Sequence, residues 1–511
     1  MPAQPPVTSF DYPESELVFG VTALVGTDIS QLQSTLDTHL KRFGYRLNGI
    51  KLSTFLQEDA VVKRHRVDVA VESEYRRIST LMDAGNKTRE VSGRPDVMAL
   101  YAASAISESR NWSENPTFPA VVHLMDSLKR PEEVAVLRRI YGPGFFLIGV
   151  YSPEVDRKAH LEERGMSRDE ADNLIERDRD EGVKTGQRTR ATFHLADVIV
   201  RLDRSDLGLF KNQVKRFVDL VFGNPFETPT ADEHAMFLAY AASFRSADLS
   251  RQVGAVVVSE AGEVIATGAN DVPQFGGGLY WPGPQDQRDH VRGTDSNKAA
   301  IEGIVRDIVQ RITPGSRQLT SEEIEGRLAG GQLHDLTEFG RMVHAEMEAI
   351  ASCARVGVST RKGVMYTTTF PCHNCAKHIV AAGIREVQYV EPYPKSRASE
   401  LHGDSISVEV AEEGKVLFKP FVGVTARRYV DLFSLQLGSG RNLVRKVGSQ
   451  KAVFERMNAA PRVPMPPASY LEREKIATSN ILITMSGGEQ NAKGKKTTSR
   501  RRKDRNPKQG G

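Results

Sequence analysis

Two short segments in the second half of the chain carry residues that bind transition metals. They read HAE at 344–346 and PCHNC at 371–375. Cys372 and Cys375 lie three residues apart, so a helix that begins near Pro371 would present both thiols on one side of its first turn. One imidazole, from His344, and two thiolates suit zinc, and three protein ligands leave a fourth position open for water. The spacing predicts a catalytic site with one zinc ion per chain.

Glu346 is predicted to act on the water rather than on the metal. It stands two residues after His344 at the start of the same predicted helix, where its carboxylate can face the open position. Zinc lowers the pKa of bound water to about 7, and a nearby carboxylate can take the proton. A structural site would need a fourth protein ligand, and Cys353 is the remaining cysteine. Cys353 falls among apolar residues of that helix and is predicted to belong to the core.

The elements that position these residues alternate between helix and strand. A helix (AMFLAYAASF) precedes two strands within VGAVVVSEAGEVIATG, and GVMYTTTF and IREVQYVE are further strands around the PCHNC helix. GNPFETPTADE at 223–233 marks a domain boundary, and Thr230 with Glu233 forms a capping box that begins the next helix. The stretch 271–342 is too long for an ordinary connection, so we expect a lid or an assembly element.

Residues 17–222 contain five predicted strands separated by helices. Strands separated by helices indicate βαβ units and a mainly parallel sheet. The whole chain is therefore predicted to be α/β, with a flexible N-terminus at 1–16, one domain at 17–222, a second at 230–450 and a C-terminal extension at 451–511.

Composition bears on the compartment of the protein and on the kinds of partner that it can bind. Three cysteines in 511 residues, no secretory leader and no apolar run of membrane-spanning length favour a cytoplasmic protein without a membrane partner. The net charge of +4 conceals a basic tail, because residues 493–511 carry nine basic side chains and one acid. The tail is predicted to be disordered, and the rest of the chain has a net charge of −4, which is not typical of a nucleic-acid-binding body.

The motif H-x-E…P-C-x-x-C is the signature of zinc deaminases, and residues from about 230 to 435, within the predicted domain at 230–450, resemble the deoxycytidylate deaminases. The matching stretches include SADLSRQVGAVVV, ATGAND, VHAEMEAI, TTTFPCHNCAKHIV and PFVGVTARRYVDLF. The resemblance implies a central mixed sheet flanked by helices and hydrolytic conversion of cytosine to uracil. It assigns Asn270 to the deoxyribose 3′-hydroxyl and Arg251 to the phosphate. Tyr393 and Lys395 are candidates for base stacking and phosphate contact, with an ordinary loop aromatic and a solvated lysine as the alternatives.

The N-terminal region resembles small P-loop nucleotide kinases. Set against G-x-x-x-x-G-K-[ST], the segment 23–30 keeps the hydroxyl at Ser30 but has Asp28 and Ile29 in place of the second glycine and the lysine. A degenerate domain that senses a nucleotide or holds a partner is therefore expected rather than a kinase. The candidate nucleotide-binding residues, where Mg²⁺ would accompany the nucleotide, are Gly26, Thr27, Ser30 and Asp126. For Asp126, an ordinary turn at a strand end is the alternative.

The fusion of these two domains resembles the bacterial phage-defence deoxycytidylate deaminases. That resemblance implies deamination of free dCTP and dCMP, depletion of dCTP, a homo-oligomer, and regulation through the N-terminal domain by a nucleotide or a small RNA. The alternatives are a housekeeping dCMP deaminase, a polynucleotide cytosine deaminase and a non-enzymatic zinc module. The acidic body argues against a polynucleotide substrate, and Glu346 argues against a purely structural zinc site.

Overall fold

The computed structural model describes residues 15–58, 72–110, 120–179 and 186–479, apart from positions 314, 316, 318, 329, 330, 332, 334, 335, 337, 393–395, 467 and 468. These residues form two compact units. The first unit comprises the residues up to Thr228 together with those from Val422 onward, and the second comprises Pro229–Phe421.

The first unit is built on a six-stranded sheet in the order β12-β5-β4-β1-β3-β2. Neighbouring strands are parallel except β12, which is antiparallel to β5. β1 and β4 are buried along their whole length, as expected for strands with helices on both faces. The five predicted strands and the α/β class are confirmed. The strands are β1 (Leu17–Ala23), β2 (Arg46–Lys51), β3 (Val121–Asp126), β4 (Phe145–Tyr151), β5 (Val198–Arg201) and β12 (Gly423–Val424).

Helices connect these strands and supply much of the apolar core. Leu32, Leu36 and Leu40 form one buried face of α1 against the sheet, as their spacing predicts. The helices before residue 228 are α1 (Ile29–Leu40), α2 (Leu52–Glu58), α3 (Glu74–Ser92), α4 (Val97–Glu108), α5 (Pro131–Tyr141), α6 (Glu154–Glu163), α7 (Arg168–Arg179), α8 (Thr189–Phe193) and α9 (Leu207–Val221).

A buried charged cluster joins both ends of the described chain within the first unit. Arg110 contacts two carboxylates, Glu16 at 2.9 Å and Glu474, and each carboxylate is 1% exposed. Tyr470 donates a hydrogen bond to Glu16 at 2.8 Å, and residues 469–479, which carry Tyr470 and Glu474, are helical. The end of segment 1–16 therefore differs from the flexible N-terminus that the sequence predicted, because burial and this ion pair hold Glu16 in place. Residues 1–14 and the basic tail lie outside the described residues.

The second unit has its own mixed six-stranded sheet, in the order β10-β11-β9-β8-β6-β7. β6 is antiparallel to both of its neighbours, and the remaining pairs are parallel. This arrangement agrees with the mixed sheet that the deaminase resemblance implies. The strands are β6 (Gly254–Val258), β7 (Val264–Ala269), β8 (Val364–Thr369), β9 (Glu386–Glu391), β10 (Ile406–Val408) and β11 (Val416–Pro420).

The second unit begins with the predicted capping box, in which Thr230 and Glu233 exchange hydrogen bonds at the start of α10. Its helices are α10 (Ala231–Ser243), α11 (Asp289–Arg292), α12 (Ser296–Ile312), α13 (Ser321–Leu328), α14 (Ala345–Val356), α15 (His373–Ala381) and α16 (Ala398–Leu401).

The chain after Phe421 differs from the expected domain at 230–450. β12 pairs with β5, and the Thr425 hydroxyl donates to the carbonyl of Ala196 at 2.8 Å. These contacts place α17 (Ala426–Phe433), within the stretch that had suggested a deaminase, in the first unit. A short hairpin, β13 (Lys446–Val447) and β14 (Gln450–Lys451), follows in the same unit.

Candidate active site

Two helix starts in the second unit bring the predicted metal ligands together. His344 is the N-cap of α14, and Cys372 is the N-cap of α15, so each residue ends an extended segment where its side chain is free of the helix. Cys375 follows in the first turn of α15, and its backbone N–H donates to the Cys372 sulfur at 3.4 Å. The helix start thus fixes the spacing of both sulfurs.

The separations of the ligand atoms fit a tetrahedral metal. His344 Nδ1 lies 3.3 Å from Cys375 Sγ and 3.4 Å from Cys372 Sγ. All three ligand atoms lie within 4.8 Å of one another. Tetrahedral bonds of zinc length would place an imidazole nitrogen roughly 3.6 Å from a thiolate sulfur. The one-nitrogen, two-sulfur donor set and its nitrogen–sulfur separations therefore suit zinc.

The electrostatics of the three ligands favour a thiolate. Hydrogen bonds with Cys375 and His344 lower the pKa of Cys372 to about 4. The hydrogen bond with Cys372 raises the pKa of His344 to about 9, and the same thiolate raises the pKa of Cys375. Because these pKa values are raised, His344 and Cys375 keep their protons in the absence of a metal, and a bound cation would displace those protons.

Glu346 is buried and lines the same cavity as two of the predicted ligands. Its side chain is 4% exposed, and burial raises the pKa of its carboxyl group above the ordinary range. It lines the same cavity, of about 440 Å³, as His344 and Cys372. Cys353, in contrast, is fully buried among apolar side chains, as predicted. The structure therefore places Glu346 in the same cavity as the predicted ligands His344 and Cys372.

The predicted substrate residues Asn270 and Arg251 both line this cavity. The Asn270 side chain accepts from the N–H of Val253 at 2.6 Å and donates to the carbonyl of Arg251 at 2.9 Å. Asn270 therefore holds the loop that carries Arg251, a role that the sequence did not reveal. The Arg251 guanidinium lies 3.7 Å from the Glu391 carboxylate and is partly exposed. Tyr393 and Lys395 lie outside the described residues.

The long stretch 271–342 supplies residues of the cavity lining that the sequence did not indicate as part of the site. α12 and α13 contribute both charged and apolar side chains to the wall of the cavity. Asp295, which caps α12, was a detectable helix signal, but nothing in the sequence placed this helix beside His344. The lining residues from this stretch include Asn297, Lys298, Ile301, Ile324 and Glu325.

The predicted nucleotide-binding residues of the first unit lie together at the carboxyl ends of its strands. Gly26, Thr27, Ser30 and Asp126 line a separate cavity of about 910 Å³. Gly26 needs its positive φ of 87°, and a Cβ there would lie 2.7 Å from a backbone oxygen. The Ser30 hydroxyl donates to Asp28. Asp126 accepts from a backbone N–H, and burial raises the pKa of its carboxyl group.

The turn after β1 is already engaged by the chain's own side chains. The Asp178 carboxylate, which is fully buried, accepts from the N–H of Val25 at 2.7 Å. It also accepts from Lys129 Nζ at 2.9 Å, and Lys129 in turn donates to the carbonyl of Ala23. The Asp178 carboxylate thus accepts the hydrogen bond of a backbone N–H that could otherwise bind a phosphate.

A family model matches the part of the chain that contains this site, and several known proteins are similar to the chain. The family model for the cytidine and deoxycytidylate deaminase zinc-binding region matches residues 229–391. Deoxycytidylate deaminase of Enterobacteria phage T2 is 32% identical over 31% of this chain and 79% of its own length. Mouse deoxycytidylate deaminase is 28% identical over 40% of this chain and 81% of its own length. Among solved structures, a dCMP deaminase from cyanophage S-TIM5 shares 18% identity, covers 38% of this chain and 99% of its own, and has a TM-score of 0.21.

No helix in the described part of the chain is long and apolar enough to cross a membrane.

Proposed function

Because the chain belongs to the family of cytidine and deoxycytidylate deaminases, we propose that its second unit hydrolyses the 4-amino group of free deoxycytidine nucleotides. The observation that carries this proposal is the burial of Glu346 in the cavity that His344 and Cys372 line. The relatives' names support dCMP as a substrate, and the resemblance to phage-defence deaminases supports dCTP as a further one.

The residues of this chain divide the chemistry between them. His344, Cys372 and Cys375 would hold the zinc ion, which supplies a water with a pKa of about 7 as the nucleophile. Glu346 would accept a proton from that water and deliver it to ring N3 while the water oxygen bonds to C4. The same carboxylate would pass the second proton of the water to the amino group, which would leave as ammonia. Burial favours this shuttle because it raises the carboxyl pKa towards the working pH.

Asn270 has hydrogen-bonding capacity left for the sugar. A primary amide offers two donors and two acceptor sites, and the loop uses one of each. We infer that the remaining donor and acceptor meet the deoxyribose 3′-hydroxyl, as the family resemblance implies. Asn270 would then hold the Arg251 loop and the sugar at the same time.

Free nucleotides are favoured over polynucleotides on the basis of the cavity and the charge of the chain. A volume of about 440 Å³ suits a single nucleotide. Outside residues 493–511 the chain has a net charge of −4, whereas a polynucleotide groove is expected to be basic.

We propose that the first unit is a degenerate P-loop-kinase-like domain that regulates the second, and that the enzyme depletes dCTP during phage infection. The order of parallel strands and the strand–turn–helix at residues 17–40 support the kinase-like interpretation. Ile29 in place of the lysine, together with the occupied N–H of Val25, supports a regulatory role rather than phosphate transfer. The T2 and mouse relatives align with 31% and 40% of this chain, so the larger part of the chain lies outside the aligned segments and is available for regulation.

One experiment tests the substrate proposal directly. Purified full-length protein is incubated separately with dCMP, dCTP, CTP, cytidine and single-stranded DNA, and the uracil product and ammonia are measured. We expect turnover of dCMP or dCTP in preference to the other compounds. Deamination of DNA alone would refute the proposal, and turnover of dCMP without dCTP would favour the housekeeping alternative.

A further inference from the structure

One wall of the active-site cavity is formed by the stretch between β7 and α14. Lys298 on α12 and Glu325 on α13 line this wall, while His344 and Glu346 line another part of the same cavity. A nucleotide whose amino group reaches Glu346 has its sugar and phosphate within the cavity or at its mouth, because the cavity is only about 440 Å³. The wall is therefore within reach of the substrate.

Hydrogen bonds hold the start of α12 in place within the second unit. The Asp295 carboxylate accepts from the N–H of Lys298 at 3.0 Å and caps the helix. The Asn297 side chain donates to the carbonyl of Leu336 at 2.8 Å and accepts from the N–H of Phe339 at 3.3 Å. Leu336 and Phe339 precede His344 by eight and five residues in the sequence, so α12 is hydrogen-bonded to the segment that leads to a predicted metal ligand.

Among the described residues that line the cavity, Arg251 and Lys298 are the arginine and lysine side chains, and they are the ones that can meet a phosphate away from the predicted metal ligands. Lys298 Nζ lies 2.7 Å from a carboxylate oxygen of Glu325, and both side chains are about half exposed, at 51% and 55%. An exposed ion pair of this kind contributes little to stability, so its lysine can exchange partners. A phosphate dianion is a stronger acceptor for an ammonium group than a single solvated carboxylate.

We propose that Lys298 binds the phosphate of the deoxycytidine nucleotide, and that Glu325 holds Lys298 while the site is empty. The inference rests on the proposed function, since it takes a phosphorylated cytosine compound as the substrate. Substrate entry replaces the Glu325 carboxylate with phosphate at the Lys298 ammonium group. The stretch 271–342 would then determine selectivity for nucleotides over nucleosides.

A purely structural role for the ion pair makes a different prediction. If the pair only joins α12 to α13, removing either partner should impair the enzyme in the same way and for every substrate. If Lys298 recognises phosphate, the two changes should act in opposite directions. Glu325 competes for Lys298 and repels the incoming anion, so its neutralisation should improve the use of nucleotides.

The test measures kcat/KM for dCMP and for deoxycytidine in the wild-type protein, Lys298→Met, Lys298→Arg and Glu325→Gln. We expect Lys298→Met to lower kcat/KM for dCMP about ten- to one-hundredfold, the size of a lost charged hydrogen bond, with deoxycytidine changed less than about twofold. Lys298→Arg should recover most of the loss, and Glu325→Gln should raise kcat/KM for dCMP. Lys362→Met is the matched control, because Lys362 forms a comparable exposed pair with Glu260 away from the cavity lining.

Two outcomes would overturn the inference. One is an equal effect of Lys298→Met on dCMP and deoxycytidine, and the other is a loss with Glu325→Gln that parallels the loss with Lys298→Met. If deoxycytidine turns over too slowly to measure, the dissociation constants of the products dUMP and deoxyuridine provide the same comparison. Wild-type protein that deaminates no cytosine compound would refute the proposed function itself, whereas normal wild-type turnover with an unchanged dCMP preference in Lys298→Met would refute only the role of Lys298.

Discussion

Replacement of Glu346 by glutamine separates proton transfer from metal binding and folding. Glutamine has nearly the same shape, and the site is 4% exposed, so the packing is retained. Burial outweighs the attraction of His344 and raises the pKa of this carboxyl group, so on balance the site disfavours the charged form that glutamine removes. Glu346→Gln is therefore expected to fold and to bind zinc as the wild-type protein does.

The size of the activity loss follows from the two proton transfers assigned to Glu346. General acid–base catalysis by one positioned group contributes about 10²- to 10⁴-fold. At about 1.4 kcal/mol for each factor of ten, the transition state of Glu346→Gln should lie about 3–5 kcal/mol higher. The loss should appear in kcat, because the carboxylate acts on protons that move during the reaction.

Glu348→Gln is the matched control on the same helix. Glu348 is also buried, at 6% exposed, but it accepts a hydrogen bond from Arg355 at 2.7 Å and does not line the cavity. Its replacement should cost about 1 kcal/mol of stability at most, because Arg355 is 38% exposed, and it should leave kcat within about twofold. The assay combines ammonia release from dCMP, zinc content by elemental analysis and a thermal melt. Retention of more than a tenth of wild-type kcat by zinc-loaded Glu346→Gln would refute the proton shuttle, and loss of zinc would show that Glu346 belongs to the ligand set.

Four further predictions concern the metal, the support of α14 and, for the last two, the buried charged cluster. Cys372→Ser should lose zinc and activity together, and full zinc occupancy by elemental analysis would contradict the ligand set. Gly268→Ala should destabilise the second unit by about 1–3 kcal/mol and reduce activity, because a Cβ there would lie 2.1 Å from the first carbonyl oxygen of α14. A denaturant titration measures the loss, with Gly303→Ala as the control, because a Cβ at Gly303 would have no atom within 4 Å. Arg110→Met should lower stability by about 3–5 kcal/mol at neutral pH by leaving buried carboxylates without a cation. In the wild-type protein, the hydrogen-bonding partners of Glu16 lower the pKa of its carboxyl group from an ordinary 4.5 to about 2. The stability that this group contributes should therefore be lost as the pH falls from about 4.5 towards 2. A melting temperature that does not change across that pH range would contradict this reasoning.

The elements of the fold were more predictable from the sequence than their arrangement. β1 and β4 are continuous apolar runs, and α1 has leucines at helical spacing, so local patterns were sufficient to find them. The position of β1 between β3 and β4 depends on pairings between distant residues, which no local pattern specifies. The same limitation explains the end of the second unit, because contacts with distant residues, such as the pairing of β12 with β5, show where the residues after Phe421 belong.

The metal site was predictable because each ligand is fixed by a helix start. His344 and Cys372 are N-caps, and Cys375 is one turn inside its helix, so short motifs contain most of the geometry. Asn270 lines the cavity, and its predicted contact with the sugar stays a prediction; its hold on the Arg251 loop depends on a hydrogen bond across 17 residues of sequence. Lys298 carried no signal of its own, since one lysine on an amphipathic helix resembles any solvated lysine.

The turn after β1 shows how distant residues can change the meaning of a local motif. Asp28 accepts the N–H of Ser30 at the start of α1, and Asp178, 153 residues away from Val25, accepts the N–H of that residue. Backbone N–H groups at such a turn attract phosphate because they are unsatisfied and lie at the positive end of a helix. Here two carboxylates satisfy them and add negative charge, while Ile29 provides no cation. A phosphate would have to displace Asp178 from both Val25 and Lys129, so the same strand, turn and helix that suggest a nucleotide site also oppose phosphate transfer at that site.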